Sequence, residues 1–518
     1  METRTKIYQN IYQDSVALMR ISATISDMPG IEQASGLMGT TTNLDLLLES
    51  GLLDARPNTK PSDLLFVIKG KPEALDDAFT AAEIALAPKE SSESSGGVKR
   101  LAPTSLLGAL EEAPMANLAL ISTPGEFAAA EAMKALRAGL NVLLFSDNIS
   151  VEQEIILKKY AAEKSLLFMG PDCGTAIISG VPLAFANVVR QGNIGIIGAS
   201  GTGIQQVSSL IDQLGSGVSH AIGTGGHDLS KEVGGLTMLA GIHALANDPH
   251  TKVITLISKP PAKEVADKVL AAASNTGKPI VVNFLGADAS QIKGPHITAA
   301  STLEEAAHRA VALDKGEAAD FTSAGPEDLG INERSKIIAR TIKSPQRYLR
   351  GLYTGGTFCY EAQLLLQNHL SDICSNGPVG NAQKMTSPFR SEGHTVIDLG
   401  DDVFTRGKPH PMIDPTPRNE RILQEANDPE TAVILLDVVL GYGSHDDPAG
   451  ELAKTIGAAR TSLKGSGPAY IASICGTVND PQNLADQKAK LEAGGVTLCA
   501  SNAEAVILAL QVVKRSQQ

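Results

Sequence analysis

Residues 193–214 read NIGIIGASGTGIQQVSSLIDQL, and residues 350–370 read RGLYTGGTFCYEAQLLLQNHL. Each is an apolar strand, a glycine-rich turn and an amphipathic helix, in that order. Downstream, Asn247-Asp248-Pro249 leads into the apolar run from Val253 to Ile257, and 180 residues later Asn427-Asp428-Pro429 leads into Val433 to Leu440. KPIVVNFLG from Lys278 then matches PAYIASICG from Pro468, with the offset grown to 190 residues. Surface-loop insertions tolerate such a drift, because loop closure costs little for a few added residues. The spacing describes a duplicated α/β domain. Strands alternating with helices predict parallel sheets, and each copy reads as a flavodoxin-like doubly wound sheet with its ligands at the carboxyl ends of the strands.

Working outward, NLALIS from Asn117, NVLLFSD from Asn141 and SLLFMG from Ser165 alternate with helical patterns and predict a Rossmann-like sheet. Before them, KIYQNIYQ and DLLFVIKG read as strands, and DSVALMRISATISDM and PEALDDAFTAAEIAL as helices, which makes a small α+β module. KESSESSGGVK has the composition of a linker. The expected organisation is an N-terminal α+β domain at 1–88, a linker at 89–105, a Rossmann-like, CoA-binding-type domain at 106–190, a first flavodoxin-like domain at 191–315, a linker at 316–343 and a second flavodoxin-like domain at 344–518.

With 44 basic against 57 acidic residues the net charge is −13, and no cluster of Lys or Arg offers a track for nucleic acid or anionic lipid. No apolar run approaches the roughly 20 residues that span a bilayer, and METRTKIYQN has no signal-like apolar segment. A cytoplasmic, oligomeric protein without a membrane or nucleic-acid partner is expected. Five cysteines without C-x-x-C spacing predict thiols, not a disulfide framework or zinc site.

The turn from Gly198 to Gly203 presents Ser200, Gly201, Thr202 and Gly203 to a phosphate or carboxylate, and Gly355, Gly356 and Thr357 repeat it. A strand-to-helix turn also needs glycine without any ligand. No Walker lysine follows, and no acid sits at the spacing of a dinucleotide fingerprint, which disfavours a P-loop NTPase or a dehydrogenase. In the second copy GKPHPMIDPT and GYGSHDDP bring Lys408, His410, His445 and Asp446 to predicted strand ends, and His410 and His445 are general acid/base candidates. Solvated loop histidines are the plainer alternative. Asp172 in GPDCGTA, Asp228 after GTGGH, Asp401 and Asp402 in the equivalent loop, and Asp446 are candidates for substrate or an unspecified metal; Cys173 reads as a small buried residue. In the first copy SKPP from Ser258 stands in the place of Asp437 and its followers, so the halves differ in chemistry.

NLALISTPGEFAAAEAMKAL, LLFMGPDCGTAI, GNIGIIGASGTG and AIGTGGHDL together resemble the FdrA family, relatives of succinyl-CoA synthetase, over nearly the whole chain, and GPDCGTAIISG, LISKPP and GKPHPMIDPT resemble FdrA in particular. The resemblance implies CoA-binding and ligase-type domains whose two helix N-termini flank a phosphorylated group. It departs from the synthetase pattern in three ways. There is no glycine-rich CoA loop before Asn117; GPHITAA keeps His296 without the Gly-His-Ala-Gly setting of a phosphohistidine; and no segment has the length of an ATP-grasp module. FdrA relatives are similar to a subunit of oxamate carbamoyltransferase, which implies phosphorolysis of oxalurate to oxamate and carbamoyl phosphate with companion transferase subunits. Phosphate is then a co-substrate, no CoA or other cofactor is required, and catalysis falls to Lys408, His410 and His445. The alternatives are an ADP-forming acyl-CoA synthetase subunit and a non-catalytic anion- or acyl-CoA-binding scaffold.

Overall fold

The computed structural model describes residues 1–13, 15–87, 103–405 and 409–517. The chain divides into two compact units, Met1–Asp172 with Arg406–Pro409, and Cys173–Thr405 with His410–Gln518. No helix among the described residues is long and apolar enough to cross a membrane.

The first unit opens with β1 (Glu2–Tyr8), α1 (Ser15–Ser26), β2 (Ile31–Met38), α2 (Thr41–Glu49), β3 (Leu64–Gly70) and α3 (Pro72–Leu86). Their antiparallel sheet runs in the order β1–β3–β2. The central strand buries Leu64 to Ile68, as its unbroken apolar run requires. β1 starts earlier than the alternation of KIYQNIYQ suggests: it pairs from Glu2 with Gly70 to Tyr8 with Leu64, and Asn10, at φ 53°, turns the chain so that its N–H reaches Asp63. Residues 88–102, most of the expected linker, lie outside the described residues. Ser105 then caps α4 (Leu106–Glu112), and β4 (Leu118–Ile121), α5 (Gly125–Arg137), β5 (Asn141–Leu144), α6 (Val151–Glu163) and β6 (Phe168–Met169) build a three-stranded parallel sheet, β4–β5–β6.

The Rossmann-like portion ends near Asp172, not at 190. The next strands, β7 (Thr175–Ile178) and β8 (Val181–Ala184), form a hairpin that belongs to the first copy's sheet, because Ile177 and Ile178 pair with Ala221 and His220. That copy continues with β9 (Gln191–Gly198), α7 (Gly201–Gln213), β10 (Val218–Gly223), α8 (Leu236–Asn247), β11 (Val253–Ser258), α9 (Lys263–Ser274), β12 (Ile280–Phe284), β13 (Ile297–Ala299) and α10 (Leu303–Asp314). The sheet order is β13–β12–β11–β9–β10–β7–β8.

The expected second linker carries α11 (Leu329–Ala339). This helix is held by tertiary contacts: Ile331 is buried in the core, and Arg515 bonds Ser335 and Asn332. The second copy follows as β14 (Tyr348–Tyr353), α12 (Gly356–Leu366), β15 (Ile373–Ser375), β16 (Gln383–Lys384), β17 (His394–Asp398), α13 (Asp402–Thr405), α14 (Thr416–Asn427), β18 (Thr431–Val439), α15 (Pro448–Ser462), β19 (Ala469–Cys475), α16 (Leu484–Ala493), β20 (Thr497–Cys499) and α17 (Asn502–Ser516), with sheet order β16–β15–β17–β14–β18–β19–β20. Set aside the edge strands β7, β8, β15 and β16, and both sheets have the flavodoxin-like order 2-1-3-4-5.

The copies share one apolar core. Ile204, Val207 and Ile211 of α7, Phe358, Ala362 and Leu366 of α12, and Val506 and Leu510 of α17 belong to a single buried cluster. Each such large side chain contributes about 1.5–3 kcal/mol on burial. Gln205, Gln206, Ser208 and Ser209 of α7 are buried too, because this side faces the second copy: Gln205 donates to Leu440 O at 3.5 Å, and Ser209 shares a hydrogen bond with Cys475 Sγ at 3.9 Å. α7 and α12 thereby have a fixed mutual position.

Candidate functional site

α7 and α12 start from equivalent strand ends, and their N-termini abut. The Ser200 and Thr357 hydroxyls share a hydrogen bond. Ser200 also caps α7 by accepting from Gly203 N at 3.0 Å. Among the described residues, the amides of Gly201, Thr202, Gly356 and Thr357 have no partner within the chain, as the first residues of helices usually do not. Two positive helix ends and four free donors therefore converge. All the glycine-turn residues expected to bind an anion meet in this one place.

The two ends differ in charge. Pairing of Leu256 with Ile197, and of Leu436 with Leu352, makes Ile257 the counterpart of Asp437, one residue before the expected Ser258. Asp437 is buried and accepts from Thr354 N, Thr354 Oγ1 and Gly355 N at 2.8–2.9 Å. Arg418 faces it at 3.5 Å. In the first copy the corresponding bond is Ala199 N to Ile257 O, with no carboxylate.

Asp398 closes β17. Asn376 fixes its backbone from both sides, and its Oδ1 accepts from Gly400 N at 2.9 Å. Its Oδ2 lies so close to α12 that a Cβ on Gly356 would meet it at 2.6 Å. Burial raises its carboxyl to about 6; the Gly400 N–H and Lys259 oppose that, and Asp401 and Asp437 reinforce it. Lys259 comes from the first copy, just beyond β11, and its ammonium stands 5.4 Å from the Tyr360 ring on α12.

His410 approaches the same point. A Cβ on Gly400 would fall 2.5 Å from His410 Nε2 and 3.2 Å from Asp398 Oδ1. Burial lowers the imidazole to about 4, so it is neutral near pH 7. Its Nδ1 accepts from Met412 N at 3.2 Å, which leaves the proton on Nε2. His445 is tied to the same turn through its N–H on Met412 O at 2.7 Å, and its Nδ1 accepts from Asp447 N at 3.0 Å. The two histidine loops are therefore joined at Met412. Asp446 beside them is exposed. Lys408 lies outside the described residues.

The remaining candidates do not join this centre. Asp228 is buried and accepts from Thr237 N and Met238 N, so it anchors the start of α8 and has no free role for substrate. Asp401 accepts from Val403 N at the start of α13, and Asp402 is exposed. Asp172 is exposed at φ 55° with its N–H on Ser146 O. Cys173 is buried against Gly223, the small packing residue expected. No group of three metal-ligating side chains occurs among the described residues. His296 sits at the amino end of the first sheet, where its carbonyl accepts from Ile280 N.

The two flavodoxin-like sheets joined through abutting helix N-termini have a succinyl-CoA synthetase-like, CoA-ligase-type fold: the CoA-ligase family matches residues 352–512 and the CoA binding domain family residues 189–286. The chain belongs to the family of the Escherichia coli (strain K12) protein YahF, to which it is 42% identical over 525 residues covering 100% of both chains. It is also 29% identical to the succinate–CoA ligase [ADP-forming] subunit alpha of Aquifex aeolicus, over 33% of this chain and 57% of that one. A Ca. Korarchaeum cryptofilum dinucleotide-forming acetyl-coenzyme A synthetase 1 is a structural neighbour at TM-score 0.31 and 16% identity, covering 77% of this chain and 84% of that one. Residues 1–103 match a family described as AllF, heavy metal-associated domain, and contain no cysteine or histidine here.

Proposed function

We propose that the chain is the phosphate-handling subunit of a ligase-type acyl-transfer enzyme, in which phosphate and an activated carbonyl compound are converted to an acyl phosphate at the α7–α12 junction. The abutting N-termini bonded through Ser200 and Thr357 carry this reading, because their free amides suit a phosphate. His410, neutral and with its proton on Nε2, would donate to the oxyanion that forms on the attacked carbonyl; one such donor is worth roughly 3–4 kcal/mol. His445 holds the His410 turn through Met412.

Two donors fit this chemistry. A thioester is the donor suggested by the CoA-ligase and CoA-binding matches. The CoA-binding match spans residues 189–286 and so includes the Ser200–Gly203 turn at the start of α7. A carbamoyl compound such as oxalurate, phosphorolysed with companion subunits to oxamate and carbamoyl phosphate, is the donor suggested by the AllF match and by the remoteness of His296 from the helix ends.

The experiment supplies the chain and its companion subunits with phosphate and either succinyl-CoA or oxalurate, and traps acyl phosphate as a hydroxamate. Formation that needs phosphate but no nucleotide is the expected result. Product that appears only with ATP, together with a phosphorylated histidine, sinks the phosphorolysis reading.

A further inference from the structure

Asp398 is the acidic group nearest the first residue of α12 that retains a free oxygen. Asp437 spends its carboxylate on Thr354 and Gly355. Asp401 holds α13. Asp398 uses Oδ1 for Gly400 N; its Oδ2 has no hydrogen-bond partner among the described residues and points at the Gly356 end of the junction. The charged and titratable groups around it are Lys259 from the first copy, Asp401, Asp437, the neutral His410 and the buried Cys359 thiol of α12.

We infer that Asp398 is a catalytic carboxyl of this junction, with Lys259 as the positioning cation that reaches it from the other copy. The inference rests on the acyl-phosphate reading. A phosphate oxygen forms its bond to the carbonyl carbon, and the phosphate hydroxyl proton passes to Asp398 Oδ2. The bond from carbon to the leaving sulfur or nitrogen then breaks; the leaving atom keeps the electron pair and takes the same proton back. No other reactant is consumed. The two halves of the duplication thus contribute unlike parts to one proton transfer, a division that neither half contains alone.

Asp398→Asn keeps an acceptor for Gly400 N and removes the proton carrier. Phosphate-dependent turnover should fall by roughly 10²–10⁴-fold. Calorimetry of the full chain with inorganic phosphate should show binding retained or tightened, since a negative charge has gone. The pH–rate profile of the wild-type enzyme should have a limb near 6, absent in Asp398→Asn and displaced to higher pH in Lys259→Met, because loss of the cation lets the carboxyl rise; Lys259→Arg should restore it. An Asp398→Asn enzyme with wild-type turnover and an unchanged profile overturns the assignment, and an unmoved limb in Lys259→Met removes the lysine from it. Wild-type chain that binds no phosphate fails the underlying reading instead.

Discussion

Ser200 and Thr357 are 157 positions apart and share one hydroxyl hydrogen bond. It joins the first turns of α7 and α12, the two helices that the duplication made equivalent.

In a double-mutant cycle of Ser200→Ala and Thr357→Ala, the pair should couple by about 0.5–1.5 kcal/mol in denaturant unfolding, the net worth of an ordinary hydrogen bond. Ser200→Ala alone should cost about 0.5–2 kcal/mol, because it also frees Gly203 N. Additive single effects would mean that the hydroxyls do not interact in solution.

Gly356 and Gly201 should respond unequally to alanine. At Gly356 the new Cβ meets Asp398 Oδ2 at 2.6 Å, and the carboxylate must move; at Gly201 it meets Thr175 Oγ1 at 3.2 Å, which a small shift relieves. Overpacking of the first kind costs about 1–3 kcal/mol. Gly356→Ala should lower both melting temperature and turnover, with Gly201→Ala much nearer wild type.

Two opposed effects should act on stability across the same mildly acidic range. His410 and His394 are held neutral by burial, each lowered from 6.5 to about 4, so between those values the unfolded chain binds protons that the fold does not, and stability is lost as pH falls. Glu361 runs the other way. Burial raises it from 4.5 to about 7, the fold keeps its proton, and stability is lost as pH rises across that window. Glu361→Gln should flatten the loss towards neutral pH, and His394→Gln the acid loss, in melting temperatures taken from pH 4 to 8.

Glu425 holds two buried guanidinium groups, Arg350 at 3.0 Å and Arg421 at 2.6 Å. Glu425→Ala leaves Arg421 without its carboxylate and Arg350 with Asp428 alone, and should destabilise by about 3–5 kcal/mol. Urea titration of the variant checks it, and a loss below about 1 kcal/mol, the worth of a surface pair, contradicts the buried network.

His296→Ala should leave phosphate-dependent activity intact, since the residue sits beside Ile280 N at the far end of the sheet. Lost activity with an unchanged melting curve would return the phosphohistidine route to consideration.

The glycine turns were legible because strand, glycine and helix leave a local pattern, and because they occur twice. Asp398 was less so: in DLGDDVFTRG the neighbouring Asp401 and Asp402 read as loop acids, whereas Asp398 is the last residue of a strand. Lys259 was missed for another reason. SKPP looked like the copy that had lost its acid, and no local pattern tells which copy's loop reaches the other's helix. Periodicity also does not say which sheet a strand joins, which is why β7 and β8 were expected in the preceding domain. The polar side of α7 resembled a solvent face until the second copy was found against it. α11 lay hidden in a polar segment because tertiary contacts hold it.

Asp437 and Ile257 occupy the same place in the two copies, and only one of them is charged. A junction between equivalent helices would otherwise accept an elongated ligand in either direction with equal ease. If the proposed phosphate binds there, the α12 end, partly offset by the chain's own carboxylate, attracts it less than the α7 end does. A single isoleucine-for-aspartate difference thus gives the two ends of the proposed site unequal pull on an anion.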